Sequence, residues 1–155
     1  MNINIKINHK WHYKLKKLVP TLRYLNNDGV RNAFLCMKNF YKNSRILKFK
    51  KNEKTGLWKI PISWDVSIGQ LIGPKGNKIV DYFDNPLHLY SNSCDFKGIV
   101  TKKKLLKHIY TDEKRPNLIP FHYRNQFREN IKEWGFCLPY NKVKKLKNGN
   151  YKVNI

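Results

Sequence analysis

The stretch PNLIPFHYRNQFRENIKEWGFCLPY, residues 116–140, decides how the rest of the sequence is interpreted. It contains two compact aromatic clusters, residues 119–123 and residues 134–138, with a charged segment between them. Aromatic rings bury a large area, while an adjacent proline or glycine fixes the course of the backbone, so such clusters are typical of a core. We therefore predict extended core segments at residues 118–123 and 133–139.

Length and composition predict one ordinary domain, or one small domain with a helical appendage. The chain has 155 residues, of which 41% are hydrophobic and 14% aromatic, enough for a real core. An odd number of distant cysteines, Cys36, Cys94 and Cys137, predicts reduced, buried thiols in a cytoplasmic protein. No apolar run reaches about 18 residues, and the N-terminus lacks the continuous apolar segment of a signal peptide, so we expect no membrane association.

The formal net charge of +22 favours a partner that is a polyanion, such as nucleic acid. Two features favour compositional drift instead: lysine far outnumbers arginine, and the lysines are scattered along the chain. Readers of nucleic acid usually rely on arginine for bidentate and stacking contacts. Nucleic-acid binding therefore stays open, but it is not the favoured interpretation.

The N-terminal part of the chain predicts helices after a short strand at residues 2–8. Trp11, Leu15 and Leu18 recur at helical spacing, which predicts a helix over residues 10–19 that ends before a proline. A second helix, capped by Asn27 or Asp28, should run to about residue 41. Its predicted buried stripe consists of Val30, Phe34, Met37 and Tyr41.

From residue 44 onwards the periodicity is typical of strands. The glycine-rich stretch at residues 73–77 favours a hairpin turn over a phosphate-binding loop, because a strand and not a helix follows it. The predicted fold is α+β, with an N-terminal helical segment followed by a β-rich, sandwich-like domain with one short helix. The strands are predicted at residues 45–51, 57–64, 67–72, 78–83, 87–90, 96–101 and 151–155, and the short helix, capped by Thr101, at residues 102–110.

His88 and His122 are the best candidates for functional imidazoles, because both stand in aromatic, strand-like surroundings. With Tyr123 and Trp134 they form our set of candidate pocket-lining residues. A histidine in such a position is more often a hydrogen-bonded core residue, and that alternative stays open.

The remaining histidines and Cys137 give no pattern that predicts a catalytic residue or a metal site. His9 and His12 have a spacing that could chelate a metal from one helical face, but no third ligand is close in sequence. Cys137 with a distant histidine could mimic a thiol enzyme, but no oxyanion or orienting signature accompanies it.

From about Leu18 to Ile155 the chain resembles a family of bacterial zinc aminopeptidase-like proteins. Members of that family combine an aminopeptidase-like catalytic domain, an inserted β-rich domain of unknown function and a C-terminal winged helix. The order and the spacing of the matching motifs both agree with the family. These motifs are Pro20-x-x-Arg23, Gly29-Val30-Arg31, Trp58-x-x-Pro61-x-x-Trp64, Ile79-Val80-Asp81-Tyr82-Phe83, Leu87-His88-Leu89, Ile119-Pro120-Phe121, Trp134-Gly135-Phe136-Cys137-Leu138 and Gly149-x-Tyr151-x-Val153-x-Ile155.

The resemblance implies two pieces: residues 1–43 correspond to the opening helices of the aminopeptidase-like domain, and residues 44–155 to the inserted β-rich domain. The family's zinc ligands lie beyond the matching segment, so zinc is implied for intact members and no cofactor for this chain. The implied role is a truncated or split, non-catalytic accessory portion that shapes substrate access. Its implied partner is a separate catalytic half or a second copy, and a peptide-like substrate belongs to the intact family only. The alternatives are a free-standing basic module that binds a polyanion and a decayed gene product.

Overall fold

The structure is a computed structural model that describes residues 9–24, 26–50, 52–123 and 130–155, without the side chain of His9. The chain divides into two compact units, Met1–Asp65 and Val66–Ile155. The strand predicted at residues 2–8 and most of the charged segment between the aromatic clusters lie outside the described residues. The division near residue 43 that the resemblance implies stays a prediction. No helix among the described residues is both long and apolar enough to cross a bilayer.

The first unit contains two helices that the sequence predicts: α1 (His9–Leu18) and α2 (Asp28–Phe40). Asn27 caps α2, because its Oδ1 accepts a hydrogen bond from Val30 N at 2.9 Å. The Nδ2 of the same side chain donates to the Leu22 carbonyl at 2.7 Å. Asn27 is buried, so one side chain both starts the helix and holds the loop before it.

The apolar side of α2 is much less buried than the sequence predicts. Ala33 is buried and Val30 is half-buried, whereas Phe34, Met37 and Tyr41 are 53%, 40% and 41% exposed. The predicted buried stripe is therefore wrong for these three residues. A stripe becomes buried only against a facing apolar surface, which the described part of this unit supplies for little of the helix.

Little of the β structure predicted for residues 45–64 forms. Strands β1 (Lys54–Thr55) and β2 (Trp58–Lys59) pair antiparallel around Gly56, which has a φ of +62°. Residues 45–50 and 60–64 form no strand, so the first predicted strand is wrong over its described part and the second is cut to two residues. Alternating apolar residues make a strand only where a neighbour supplies hydrogen bonds, and Pro61 lacks a donor.

The second unit is built on a four-stranded antiparallel sheet. Its elements are β3 (Gln70–Ile72), β4 (Lys78–Asp81), a 3-10 turn (Pro86–His88), β5 (Lys97–Thr101), α3 (Lys102–Leu106), β6 (Ile109–Tyr110), β7 (Phe136–Cys137), α4 (Tyr140–Lys144) and β8 (Asn150–Asn154). The sheet has the order β4-β3-β8-β5, while β6 and β7 pair parallel. The predicted hairpin of β3 and β4 is confirmed. The last strand in sequence, β8, lies between β3 and β5, so residues distant in sequence complete the sheet.

Several local predictions for this unit need correction, although the α+β class is confirmed. The strand predicted at residues 133–139 is cut to the two residues of β7. The strand predicted at residues 87–90 is replaced by the 3-10 turn, because Asn85 Oδ1 accepts from Leu87 N at 3.0 Å and Pro86 disfavours a strand. The helix that Thr101 caps ends at Leu106, because the chain then turns to pair β6 with β7. The sequence predicts one short helix here, whereas the described part of this unit contains two, α3 and α4.

The core of the second unit joins the sheet to β7. Apolar burial of this kind contributes roughly 25 cal/mol per Å² removed from water, so it dominates the stability of the unit. The side chains that are fully buried are Leu71, Leu105, Phe136, Cys137, Leu138, Tyr151 and Val153.

Candidate functional site

The segment of residues 133–138, which contains β7, holds together the surroundings of the predicted site residues. Its backbone is hydrogen-bonded to chain segments on two sides, residues 90–94 and residues 108–110. The bonds are Cys94 N to Glu133 O (3.0 Å), Tyr90 N to Gly135 O (3.0 Å), Phe136 N to His108 O (2.8 Å) and Leu138 N to Tyr110 O (3.1 Å). Because buried backbone groups need such partners, the second aromatic cluster is fixed as a structural centre of the unit.

Trp134 is buried at the middle of a three-ring stack. Its ring lies 4.4 Å from the ring of Phe96, with an interplanar angle of 16°, and 3.9 Å from the ring of His108, with an angle of 7°. His108 Nδ1 is also 2.9 Å from the Trp134 carbonyl oxygen, which fixes the imidazole in the stack. These contacts account for Trp134 as a packing residue.

His122 is buried between two tyrosine rings. Its ring stacks on Tyr90 with centroids 3.8 Å apart and an angle of 5°, and it meets Tyr110 edge-on at 5.2 Å. The imidazole therefore lies in a second aromatic stack, which adjoins the 133–138 segment because Tyr90 N donates to the Gly135 carbonyl.

His88 is hydrogen-bonded to the backbone of the same segment. Its Nδ1 lies 2.8 Å from the carbonyl oxygen of Cys137, and since a carbonyl can only accept, Nδ1 carries the proton of this bond. Burial lowers the pKa of His88, the backbone hydrogen bond to Cys137 opposes that effect, and the charge of Lys142 adds to it. The imidazole is therefore neutral near pH 7 and oriented by the backbone.

Tyr123 differs from the other candidates because its side chain is exposed. Its side chain is 66% exposed, and its ring lies 6.4 Å from that of Phe121. The structure thus brings His88, His122 and Trp134 together around β7, and leaves Tyr123 at the surface. Sequence reasoning missed His108, whose partner lies 26 residues away, so no local pattern marks it.

The groups available for nucleophilic or metal chemistry are restricted in the same region. Burial raises the pKa of Cys137 to about 12, so its thiol stays protonated at neutral pH and is a poor nucleophile. No three His, Cys, Asp or Glu side chains of the described residues are grouped so that they could hold a metal ion. The described part of the chain therefore does not fit the zinc that the resemblance implies for intact relatives.

A second feature is an apolar groove in the first unit, formed by α2 and residues 46–49. It has a volume of about 550 Å³. Its exposed apolar side chains are Phe34, Leu35, Leu47 and Phe49, and Arg31 and Lys48 stand among them. Exposed apolar residues that are grouped in this way mark an interaction surface more often than scattered ones do.

Residues 63–155 match a family model described as a domain of unknown function (DUF2172). The match covers more than half of the chain, so the chain belongs to this family. A relative from Clostridium acetobutylicum, "Putative polysaccharide biosynthesis protein with aminopeptidase-like domain", is 27% identical over 141 residues, which are 91% of this chain and 31% of the relative. The resemblance to an aminopeptidase-like family with a domain of unknown function is thereby confirmed.

A solved structure shows the same fold. It is described as a "putative peptidase" from Clostridium acetobutylicum, has a TM-score of 0.82 at 24% identity, and is matched over 95% of this chain and 34% of its own length. The present chain thus spans about a third of the length of the proteins that it matches.

Proposed function

We propose that this chain is a non-catalytic accessory portion, truncated or split, of an aminopeptidase-like protein, and that it shapes the access of a peptide-like substrate to a catalytic site carried elsewhere. One observation carries the proposal. The imidazoles of His88, His108 and His122 are held by backbone carbonyls or by ring stacks around β7. Histidines committed in this way support a folded scaffold and not a reaction centre.

The lengths of the related proteins support the accessory role. The match covers nearly all of this chain but about a third of each relative, so those proteins contain a large further portion. The relative's printed name places an aminopeptidase-like domain in it. The free thiols of Cys36, Cys94 and Cys137 fit the cytoplasm as the compartment of the protein.

The apolar groove of the first unit is the surface that we assign to the aminopeptidase-like portion. Phe34, Leu47 and Phe49 are exposed there, and burying them would remove apolar area from water. The occupant is an aminopeptidase-like polypeptide. The proteins that this chain matches contain, besides the matching part, further polypeptide about twice as long as this chain. A second copy of this chain is the competing occupant.

The deciding experiment is to tag the protein in its own cells, measure its intact mass and identify what co-purifies. We expect either a longer product that contains an aminopeptidase-like domain, or the 18.6 kDa chain together with a separate aminopeptidase-like polypeptide. An 18.6 kDa product that binds one zinc ion and hydrolyses aminoacyl p-nitroanilides by itself would overturn the proposal.

Variants of the groove test the surface separately. The Phe34→Asp and Leu47→Asp proteins should no longer co-purify with the aminopeptidase-like polypeptide. The Val19→Asp protein, which carries the same kind of change at another exposed apolar position, should still co-purify with it. Light scattering of the purified chain measures its oligomeric state and so tests the second copy as occupant. A dimer that Leu47→Asp dissociates and Val19→Asp does not would assign the groove to a second copy instead.

A further inference from the structure

The second unit contains a lysine-rich cleft that the accessory role does not use. It lies where the turn between β3 and β4 faces the connection from α4 to β8, and its volume is about 470 Å³. Tyr151, Leu146 and Ile79 contribute its apolar lining. We name it the lysine cleft after its five lysines, Lys75, Lys78, Lys142, Lys145 and Lys147.

The walls of the lysine cleft are held in place by hydrogen bonds to backbone carbonyls. Gly76 N donates to the Gly73 carbonyl at 2.9 Å, and Gly73 N donates to the Asn77 carbonyl at 2.8 Å, which closes the turn. On the opposite wall, Tyr151 Oη donates to the Lys147 carbonyl at 2.6 Å. The walls meet at Gly149, where an added Cβ would lie 2.8 Å from the ring of Pro74. The cleft is thus preformed, as small-molecule sites usually are.

The charge of the lysine cleft exceeds what the basic composition alone would give. Five of its eleven lining residues are lysines and none is acidic, whereas lysine and arginine together make up 32 of the 155 residues of the chain. Like charges around a concave surface raise the local potential and concentrate anions there.

Two of the five lysines already have partners. Lys78 Nζ lies 3.2 Å from Asp81 and 3.1 Å from Asp84, so its charge is balanced by carboxylates outside the cleft. Lys142 Nζ donates to the Ile79 carbonyl at 2.8 Å.

With Lys142, whose partner is an uncharged carbonyl, the other three lysines carry the excess charge. Within the described residues, no ion pair or hydrogen bond of the Nζ of Lys75, Lys145 or Lys147 is found, and all three side chains line the same cleft. All three side chains are exposed, so water screens their mutual repulsion, and an anion bound between them would offset what remains.

We propose that the lysine cleft binds a compact ligand that carries at least two phosphate or carboxylate groups. A volume of about 470 Å³ is within the range of small-molecule sites. Tyr151 is the aromatic residue of the lining, and its side chain is fully buried, so no exposed ring is offered for stacking of bases. The cleft therefore fits a small oligoanion better than single-stranded nucleic acid. This inference does not depend on the accessory role.

The test is isothermal titration of the full chain with tripolyphosphate and with trigalacturonate, at low and at moderate salt. We expect at least one of these two ligands to bind at a single site. Tighter binding of tripolyphosphate would indicate a phosphate ligand, and tighter binding of trigalacturonate a carboxylate ligand. The triple variant Lys75→Gln/Lys145→Gln/Lys147→Gln should bind at least about tenfold more weakly. The control Lys16→Gln/Lys54→Gln/Lys107→Gln removes the same charge at exposed positions outside the cleft, and should change affinity by less than about twofold.

Three results would overturn the proposal. The first is no binding of either oligoanion at low salt. The second is an equal loss in the two triple variants, which would mean general attraction to the net charge of the chain. The third is a single-stranded oligonucleotide that binds more tightly than both compact anions and is affected equally by both triple variants, which would assign the charge to nucleic acid. Circular dichroism of the variants verifies their fold.

Discussion

Gly135 is the residue at which the packing around β7 is tightest. A Cβ added there would overlap the ring of Tyr90 and lie 2.6 Å from the His108 carbonyl oxygen. Because that oxygen also accepts from Phe136 N, the backbone cannot move aside without breaking the bond. We expect Gly135→Ala to lower the free energy of unfolding by about 1–3 kcal/mol, as overpacking usually does.

Urea denaturation of the Gly135→Ala protein measures this cost. Gly98→Ala in β5 is the control, because the nearest atom to its added Cβ is the tip of the Phe96 ring at 3.3 Å, so that ring needs to move by only a few tenths of an ångström. Its effect should stay below about 1 kcal/mol. Equal stability of the Gly135→Ala protein and the wild type would mean that the tyrosine ring moves at no cost, contrary to the packing described.

His88 should make the stability of the second unit dependent on pH. Burial lowers its pKa in the folded protein, so the folded imidazole binds a proton less readily than the unfolded one, whose pKa is about 6.5. The contribution to stability is therefore fully present above about pH 6.5 and is lost as the pH falls from there through the folded pKa. Asp81, whose lowered pKa comes chiefly from a hydrogen bond of Gln70, titrates below this window.

The matched variant for this effect is His88→Asn, which keeps an N–H donor for the Cys137 carbonyl but does not titrate. The difference in the free energy of unfolding between about pH 7.5 and pH 5 should be smaller for His88→Asn than for the wild type. His12→Asn, a substitution of the same type at an exposed position in the first unit, is the matched control. A wild-type pH dependence in His88→Asn would assign the effect to another group.

At the scale of elements, local signals predicted the parts of the fold that depend on nearby residues. The cap at Asn27, the cap at Thr101 and the hairpin of β3 and β4 all follow from short-range chemistry, and the structure contains them. The strand predicted at residues 45–51 failed because alternation says nothing about whether a neighbouring strand exists. The lysine cleft was not predicted, because the sheet order brings together lysines more than 60 residues apart.

The candidate site was also predicted only in part, because local sequence signals do not show which distant residues come into contact. The second aromatic cluster correctly marked a core segment at residues 134–138, and three of the four chosen side chains lie around it. The core predicted at residues 118–123 is wrong for Leu118, Phe121 and Tyr123, which are exposed, whereas His122 is buried. The partner atoms could not be predicted, because the contacts of His88 and His108 join residues 49 and 26 positions apart. Tyr123 has the same aromatic neighbourhood in sequence but is exposed, and burial depends on the fold and not on neighbours along the chain.

Strand β8 is the element on which the sheet depends most. Lys152, at its middle, pairs with Ile72 on one side and Ile99 on the other, while its own side chain is exposed. Proline is not tolerated inside a central strand, because it cannot donate to the ladder. Lys152→Pro should therefore destabilise the second unit by about 3 kcal/mol or more, whereas Lys152→Thr, which keeps the backbone donor, should cost less than about 0.5 kcal/mol. Thermal unfolding followed by circular dichroism compares the two, and an unchanged midpoint for Lys152→Pro would contradict the central position of β8.

At the scale of the whole molecule, apolar burial is divided unequally between the two units. Of the buried apolar side chains in the described residues, Ala33 is in the first unit and the others are in the second. The first unit instead exposes Trp11, Phe34 and Leu47. Since buried apolar area supplies most of the stability, the first unit should open far more readily than the second, and a partner on its apolar groove would supply the missing burial.

Hydrogen exchange followed by mass spectrometry tests this difference on the intact chain. Peptides that contain α1 and α2 should exchange at least about a hundredfold faster than those that contain β3 and β8, because exchange rates report the free energy of local opening. If the proposed aminopeptidase-like partner binds the groove, exchange in α2 should slow in its presence while that in β8 stays constant. Leu47→Asp should remove this protection and Val19→Asp should not. If α2 in the free chain exchanged as slowly as β8, the first unit would already be stable by itself, and the groove would need no partner to cover it.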